Sequence, residues 1–276
     1  MAPAGAGGPR AGADPVSALG RRVQSAMLAA AVRWRDVERV GPFTATFARG
    51  SGHPAFNYAV PDEGAEPSAA EVDALAAAYA SRGLLPRLEY VAALAPAVEP
   101  ALAAGGFGIE ARTPLMVLGS RAAAAPEPAG IELAEAVSAE DVLAAVTAQH
   151  EAYGEPARPT EAWIAGVQRS IAAGGLLVLA RAAATGDAVG GGQCTAPEEG
   201  ATELTSIGVR PAFRRRGVAA ALTSRLAAAM RERGAKLVYL TAADDGVARI
   251  YAGVGFERIG TALYVSLHDD REEEIA

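Results

Sequence analysis

The stretch ELTSIGVRPAFRRRGVAAAL, residues 203–222, decides how the rest of the chain is read. Leu204 to Val209 is rich in β-branched and apolar residues and predicts a strand. Pro211 ends it, and the Ala/Leu-rich run after three arginines and a glycine predicts a helix opening near Arg216. The first N–H groups of such a helix have no intrahelical partner, and the summed peptide dipoles put partial positive charge there, so the place suits a phosphate. Gly217 lets a bulky anion approach the backbone. Ala219 and Ala220 keep the first turn low, and Arg214, Arg215 and Arg216 add full charges.

Downstream come an apolar strand, Lys236 to Thr241, and a helix ending Ile-Tyr-Ala-Gly-Val-Gly-Phe at 250–256. An ordinary βαβ crossover with a solvated arginine face leaves that ending and the strand order unexplained. The pattern Arg-x-x-Gly-x-Ala at Arg214, Gly217 and Ala219, in these surroundings, resembles the pyrophosphate loop of the GNAT N-acetyltransferase superfamily. The resemblance implies an α/β (α+β) fold and acetyl-CoA as cosubstrate. It implies that Ile207, Gly208 and Val209 run beside the pantetheine arm, and that the N–H groups of Arg215, Arg216, Gly217, Val218, Ala219 and Ala220 hold the pyrophosphate. Many family members place an asparagine on the cofactor arm where this chain has Asp244-Asp245. Ionised aspartate accepts but cannot donate, so Asp244 is expected either to meet the arm or to cap the helix leading to Tyr251.

Composition narrows the function classes. The chain has 276 residues and a formal net charge of −7, which disfavours a general nucleic-acid binder and favours a cationic substrate. Its single cysteine, Cys194, excludes an internal disulfide and fits a reducing compartment. With no histidine nearby in sequence, Cys194 reads as a core residue rather than a nucleophile, and three scattered histidines give no metal-ligand spacing. The N-terminus lacks a secretory pattern and no run of about 18 apolar residues would span a bilayer, so a cytoplasmic protein is expected, as monomer or homodimer.

In chain order, residues 1–14 read as a disordered Ala/Gly/Pro segment and Val16 to Val37 as an amphipathic helix. Phe43 to Phe47 and Ala55 to Val60 read as paired strands. Ser68 to Ser81 reads as a helix with a Ser68/Glu71 capping box. A strand at Arg87 to Val91, a helix at Pro96 to Ala104 and a strand at Glu110 to Leu118 follow. After an Ala/Pro linker at 121–130 come a strand at Ile131 to Glu135, a Ser138-capped helix to Tyr153 and a Thr160 helix to Ile171. Strands at Leu176 to Ala182, Ala188 to Thr195 and Ala201 to Val209 lead back to the opening stretch. Gly190, Gly191 and Gly192 are odd for a strand interior; room for a substrate, a facing helix or a bulge would each account for them.

Sliding the chain against itself by 149 residues lays Arg87–Val91 over Lys236–Leu240 and Gly106-Phe107 over Gly255-Phe256. Two tandem units are expected, 15–120 and 131–276, each a mixed, mostly antiparallel twisted sheet flanked by helices. The first carries Asp62-Glu63-Gly64-Ala65-Glu66 in place of the arginines, and Leu102 in place of Tyr251. It resembles a degenerate, non-catalytic GNAT unit that completes the sheet or walls the substrate cleft.

Acetyl transfer to an amine needs a group to take the ammonium proton and another to protonate the departing thiolate. By position, Glu203 resembles the general base of several GNAT enzymes, with His150 and Glu151 as reserves. Tyr251 sits where the family keeps a tyrosine beside the cofactor sulfur, and an ordinary phenol is protonated at neutral pH. The expected function is direct transfer of an acetyl group to a small-molecule or peptide amine, without metal, nucleic acid or membrane. A non-catalytic acyl-CoA-binding sensor is the alternative, and it would not need Glu203 and Tyr251.

Overall fold

The computed structural model describes residues 15–267 except 121, 123 and 157, so the disorder expected at 1–14 lies outside the described residues. The first unit runs α1 (Pro15–Trp34), β1 (Arg35–Val40), β2 (Phe43–Ala48), β3 (Ala59–Pro61), α2 (Ala69–Ala80), β4 (Arg87–Val91), α3 (Val98–Ala104) and β5 (Phe107–Leu118). The second runs β6 (Ile131–Glu135), α4 (Ala139–Tyr153), α5 (Glu161–Ala172), β7 (Leu176–Ala182), β8 (Ala188–Cys194), β9 (Ala201–Val209), α6 (Val218–Glu232), β10 (Leu237–Thr241), α7 (Asp245–Gly253) and β11 (Phe256–Leu267).

Several boundaries differ from the sequence reading: β5 begins at Phe107 rather than Glu110, α3 at Val98 rather than Pro96 and α6 at Val218 rather than near Arg216, and two further differences have a clear cause. The first helix stops at Trp34, and Val37, expected inside it, lies in β1, where Arg35 to Val40 pair with Ala48 to Phe43. Pairing across a turn at Gly41, with φ at +51°, overrides helical periodicity there. The strand expected from Ala55 shortens to β3 because Pro54–Phe56 form a 3₁₀ turn capped by His53. Asn57 locks that turn, donating to the Ser51 and His53 carbonyls and accepting from the Ala48 N–H.

The strands form one sheet in the order β1-β2-β3-β4-β11-β5-β10-β9-β8-β7-β6. The two expected sheets are thus joined, and the units exchange their last strands. Each unit's closing strand inserts beside the other unit: β11 pairs with β4, and β5 pairs with β10. The centre is the antiparallel β5–β11 pair, running from Phe107↔Leu267 to Leu118↔Phe256, ends that the 149-residue shift interchanges. Its two register shifts leave Glu110 on β5 and Ile259 on β11 as the extra residues, again 149 apart. Two related sequences thus meet about an approximate two-fold axis within one chain, the intrachain counterpart of a swapped dimer.

Alternation along the strands feeds helical layers on both faces. Leu88, Tyr90, Leu263 and Val265 pack with Val72, Leu75 and Tyr79 of α2 and Val98 and Leu102 of α3. On the same side of the second unit, Val178, Val189, Leu204, Val238 and Leu240 pack with Leu222, Leu226 and Met230 of α6 and Tyr251 of α7. On the opposite face, Val23, Ala26 and Met27 of α1 cover Val91, Leu115, Val117, Ala201, Leu237 and Tyr239, so α1 spans both units.

Helices on both sides account for two of the three glycines in β8, and Gly190 abuts β9, where a Cβ would lie 2.6 Å from the Gly208 carbonyl. A Cβ on Gly191 would lie 3.2 Å from the Ala145 carbonyl of α4, and one on Gly192 would lie 2.8 Å from Leu226 of α6. Neighbouring Gly208 is pressed by α4 in the same way, since a Cβ there would lie 3.1 Å from the Gln149 Cα. The bulge also exists, on the facing strand β9. Cys194 is buried in the core, as expected.

Candidate active site

The site begins where two strands part. β9 and β10 run parallel, yet they pair only at Ala201↔Leu237, Thr202↔Val238 and Glu203↔Tyr239. Beyond Glu203, β10 stays with β5 and β9 stays with β8, so a wedge opens along the Leu204–Val209 edge. On its other side β9 carries a bulge. Ser206 and Ile207 face Gly192 alone, and Ser206 has φ at +53°, a left-handed conformation that non-glycine residues seldom adopt. Side chains of α4 hold this distortion in place. Gln149 donates to the Ser206 carbonyl at 2.8 Å and accepts from Gln193 at 3.0 Å, while the Tyr153 hydroxyl donates to the Ile207 carbonyl at 3.0 Å.

At the mouth of the wedge lies the arginine loop. Arg215 and Gly217 both take left-handed φ values, +61° and +82°, and Gly217 is the N-cap of α6 with no side-chain cap bond. Among the described residues, none of the N–H groups from Arg215 to Ala220 finds a hydrogen-bond acceptor; the first satisfied one is Ala221, bonded to the Gly217 carbonyl at 3.0 Å. A run of free donors in front of a helix dipole is a cradle for an anion.

The arginines divide their work. Arg214 folds back rather than outward, donating from Nε to the Val209 carbonyl at 3.1 Å and from Nη2 to the Ala152 carbonyl at 2.8 Å. It pins the loop to the end of β9 and to the C-terminal turn of α4, where a cation is favoured. Arg216 lies over the Phe213 ring at 5.1 Å.

Glu203 stands at the apex of the wedge, the last residue of the β9–β10 ladder. Its backbone is fixed by Thr195, whose hydroxyl accepts from the Glu203 N–H at 3.0 Å and whose N–H donates to the Glu203 carbonyl at 2.9 Å. Burial pushes its carboxyl up to about 8, and the negative charge of Glu89 adds to the rise. Tyr251, 7% exposed on α7, has its ring 6.2 Å from that of Phe256. Burial, with the nearby Tyr153 phenol, raises its pKa, so the phenol keeps its proton throughout the neutral range.

The remaining residues singled out in the sequence fall elsewhere. Asp244 is the N-cap of α7, its Oδ1 accepting from the Val247 N–H at 2.8 Å. Glu151 is ion-paired with Arg210 at 2.6 Å. His150 is buried, its Nδ1 at 2.9 Å from the Pro156 carbonyl, and it meets the Trp163 ring edge-on at 5.0 Å. Gln149 and Tyr153, which brace the bulge, were not singled out from the sequence. Their four-residue spacing on one helix face is the signal that could have shown them.

The equivalent wedge of the first unit is closed. β3 and β4 pair only at Ala59↔Leu88, and the gap beyond is bridged by Gln24 of α1, which donates to the Pro61 carbonyl at 3.1 Å and accepts from the Val91 N–H at 2.9 Å. The helix start is closed as well: Ser68 and Glu71 form the expected capping box at the N-terminus of α2.

A splayed parallel strand pair, a bulged strand and an uncapped basic helix start can now be set beside known proteins. The model of the acetyltransferase (GNAT) family matches residues 140–256. Residues 140–256 thus carry the domain of this family. Among solved structures, a GCN5-related N-acetyltransferase from Kribbella flavida is 28% identical, with 92% of this chain and 98% of that one covered and a TM-score of 0.76. A GCN5-related N-acetyltransferase from Sphaerobacter thermophilus shares the fold at 16% identity, covering 91% of this chain and 92% of its own, with a TM-score of 0.64. A tandem GNAT protein from the clavulanic acid biosynthesis pathway also shares it, at 14% identity, 83% and 79% coverage and a TM-score of 0.56. A search of curated proteins found no match. The GNAT domain and its partner unit contain, among the described residues, no cluster of His, Cys, Asp and Glu able to hold a metal, and no helix long and apolar enough to cross a membrane.

Proposed function

We propose that the protein transfers an acetyl group from acetyl-CoA to a primary amine by direct attack in a ternary complex. The observation that carries this reading is the run of unsatisfied N–H groups from Arg215 to Ala220 at the mouth of the wedge between β9 and β10. A diphosphate held there sends its thioester arm along the open edge of Ile207, Gly208 and Val209 toward Glu203. The Ile207 N–H would donate to the thioester carbonyl, and losing such a donor typically costs on the order of 10²-fold in rate. Glu203 takes the ammonium proton. The freed amine attacks the carbonyl carbon, the C–S bond breaks, the Tyr251 hydroxyl protonates the departing thiolate, and the second proton lost from the adduct nitrogen restores the phenol. Asp244 serves by capping α7, which carries Tyr251.

The experiment is release of free thiol from acetyl-CoA with a panel of small amines, amino acids and peptides bearing free amino groups, alongside calorimetry with coenzyme A. Heat on binding together with thiol release and an acetylated amine is expected. Binding without release across the panel would instead establish the sensor reading, and absence of both sinks either one.

A further inference from the structure

One peptide of β9 is turned by a side chain from another element. Gln149 of α4 donates from Nε2 to the Ser206 carbonyl at 2.8 Å, and its Oε1 accepts from Gln193 Nε2 of β8 at 3.0 Å. The order of these bonds is forced. A carbonyl can only accept, so the Gln149 nitrogen must face Ser206, and the oxygen left over needs the donor that Gln193 supplies. Gln149 is 2% exposed, which shields both bonds from water and strengthens them.

The Ser206 carbonyl shares its peptide with the Ile207 N–H. In a trans peptide the two point in opposite directions, and among the described residues no peptide is cis. α4 packs over β7, β8 and β9, whereas β10 lies beyond β9. Drawing the Ser206 carbonyl toward α4 therefore turns the Ile207 N–H away from the helix, toward the wedge. The turn needs support, because φ of +53° is a conformation that a serine seldom holds unaided. The first unit lacks it. Asn57, 149 residues before Ser206, is extended at φ −133°, and its side-chain nitrogen is spent on the Ser51 and His53 carbonyls.

Resting on the acetyl-transfer reading, we propose that Gln149 is a positioning residue for the reaction, with Gln193 as the group that sets its amide. It acts through the peptide between Ser206 and Ile207. The bond to the carbonyl fixes where the Ile207 N–H points, and it polarises that N–H further. The donor meant for the thioester carbonyl is thus aimed before any substrate arrives, with no reorganisation left for the moment when charge develops on the oxygen. Gln149 reaches the reaction only through backbone. Its loss should register on the bound carbonyl and leave the grip on the diphosphate alone.

The test is infrared difference spectroscopy of acetyl-CoA, ¹³C-labelled at its thioester carbonyl and bound to the full chain, with calorimetry of the same complexes. In the wild type the carbonyl band should lie below its position in buffer, because an aimed donor in a water-poor site polarises it more than water does. Gln149→Met, of similar length but without the amide, should return roughly half or more of that displacement while Kd changes by less than about twofold, the diphosphate being held by other N–H groups. Gln193→Met removes only the donor to Gln149 Oε1 and should give a smaller change in the same direction. A band left in place by either variant overturns the proposal, as does a Kd weakened about tenfold, which would make Gln149 a packing residue. A wild-type band at its position in buffer, with acetyl-CoA bound, overturns it too and leaves acetyl transfer to be judged by thiol release. Failure of acetyl-CoA to bind at all sinks both readings.

Discussion

Ser68 and Gly217 occupy the same station in the two units, 149 residues apart, each the N-cap of the helix that follows. Ser68 fills its helix start with its own hydroxyl and, through Glu71, a carboxylate; Gly217 leaves its helix start bare. One unit thus satisfies its donors internally, and the other leaves them open.

The two caps should therefore answer opposite assays. Ser68→Ala is expected to lower stability by about 1 kcal/mol and leave coenzyme A affinity alone. At Gly217 an added β-carbon meets nothing, but φ is +82°, so Gly217→Ala acts through backbone strain of roughly 1 kcal/mol and turns the donors aside. Its affinity for coenzyme A should fall about tenfold by calorimetry.

Glu203 sets a pH dependence. With its carboxyl at about 8, the proton-accepting form grows as pH rises, so kcat/KM should climb roughly tenfold per pH unit below that value and level off above it. A profile already flat at pH 6 to 7 would remove Glu203 as the base.

The same burial has a cost in stability. The folded value lies above the ordinary 4.5, so the contribution of this group is full below about 4.5 and is lost as pH rises toward 8. Glu203→Gln should abolish turnover yet melt higher than the wild type above pH 8, by roughly 2–4 °C for each kcal/mol relieved. A lower melting temperature there contradicts the assignment of a destabilising buried charge.

Tyr251→Phe keeps the ring against Phe256 and removes only the hydroxyl. Turnover should fall on the order of 10²-fold while coenzyme A affinity holds. Unchanged kcat would show that the thiolate takes its proton from elsewhere, with Tyr153 the next hydroxyl to replace.

Residues 131–276 alone should not form a stable domain, because β10 loses its β5 neighbour and β11 loses both of its partners. Expression as a separate fragment should give aggregated or unfolded material, recovered by co-expression with residues 1–130. A soluble, fully active fragment would show that the exchanged strands are dispensable.

Much of the candidate site's layout was legible because its pattern is local. Gly217 with its arginines, Glu203 in its strand, and Tyr251 ahead of the Gly-Phe ending are short-range patterns, and the Ser68 and Asp244 caps rest on side chains reaching backbone three residues away. The fold-back of Arg214 was not legible, since the carbonyls it binds belong to Val209 and to Ala152 on another element. Nor was Gln24, a polar residue on an amphipathic helix that turns out to bridge Pro61 and Val91.

By itself the sequence determined most of the strands and helices, though not β1, together with the capped and uncapped helix starts and the 149-residue repeat, because periodicity and capping are written in neighbouring residues. Only the tertiary structure decided that β5 and β11 change places, so that each unit's closing strand completes the other unit's sheet. Alternation tells which face of a strand is buried but not which strand lies beside it. When two units carry matching closing strands, either can complete either sheet, and that choice is made by long-range packing alone.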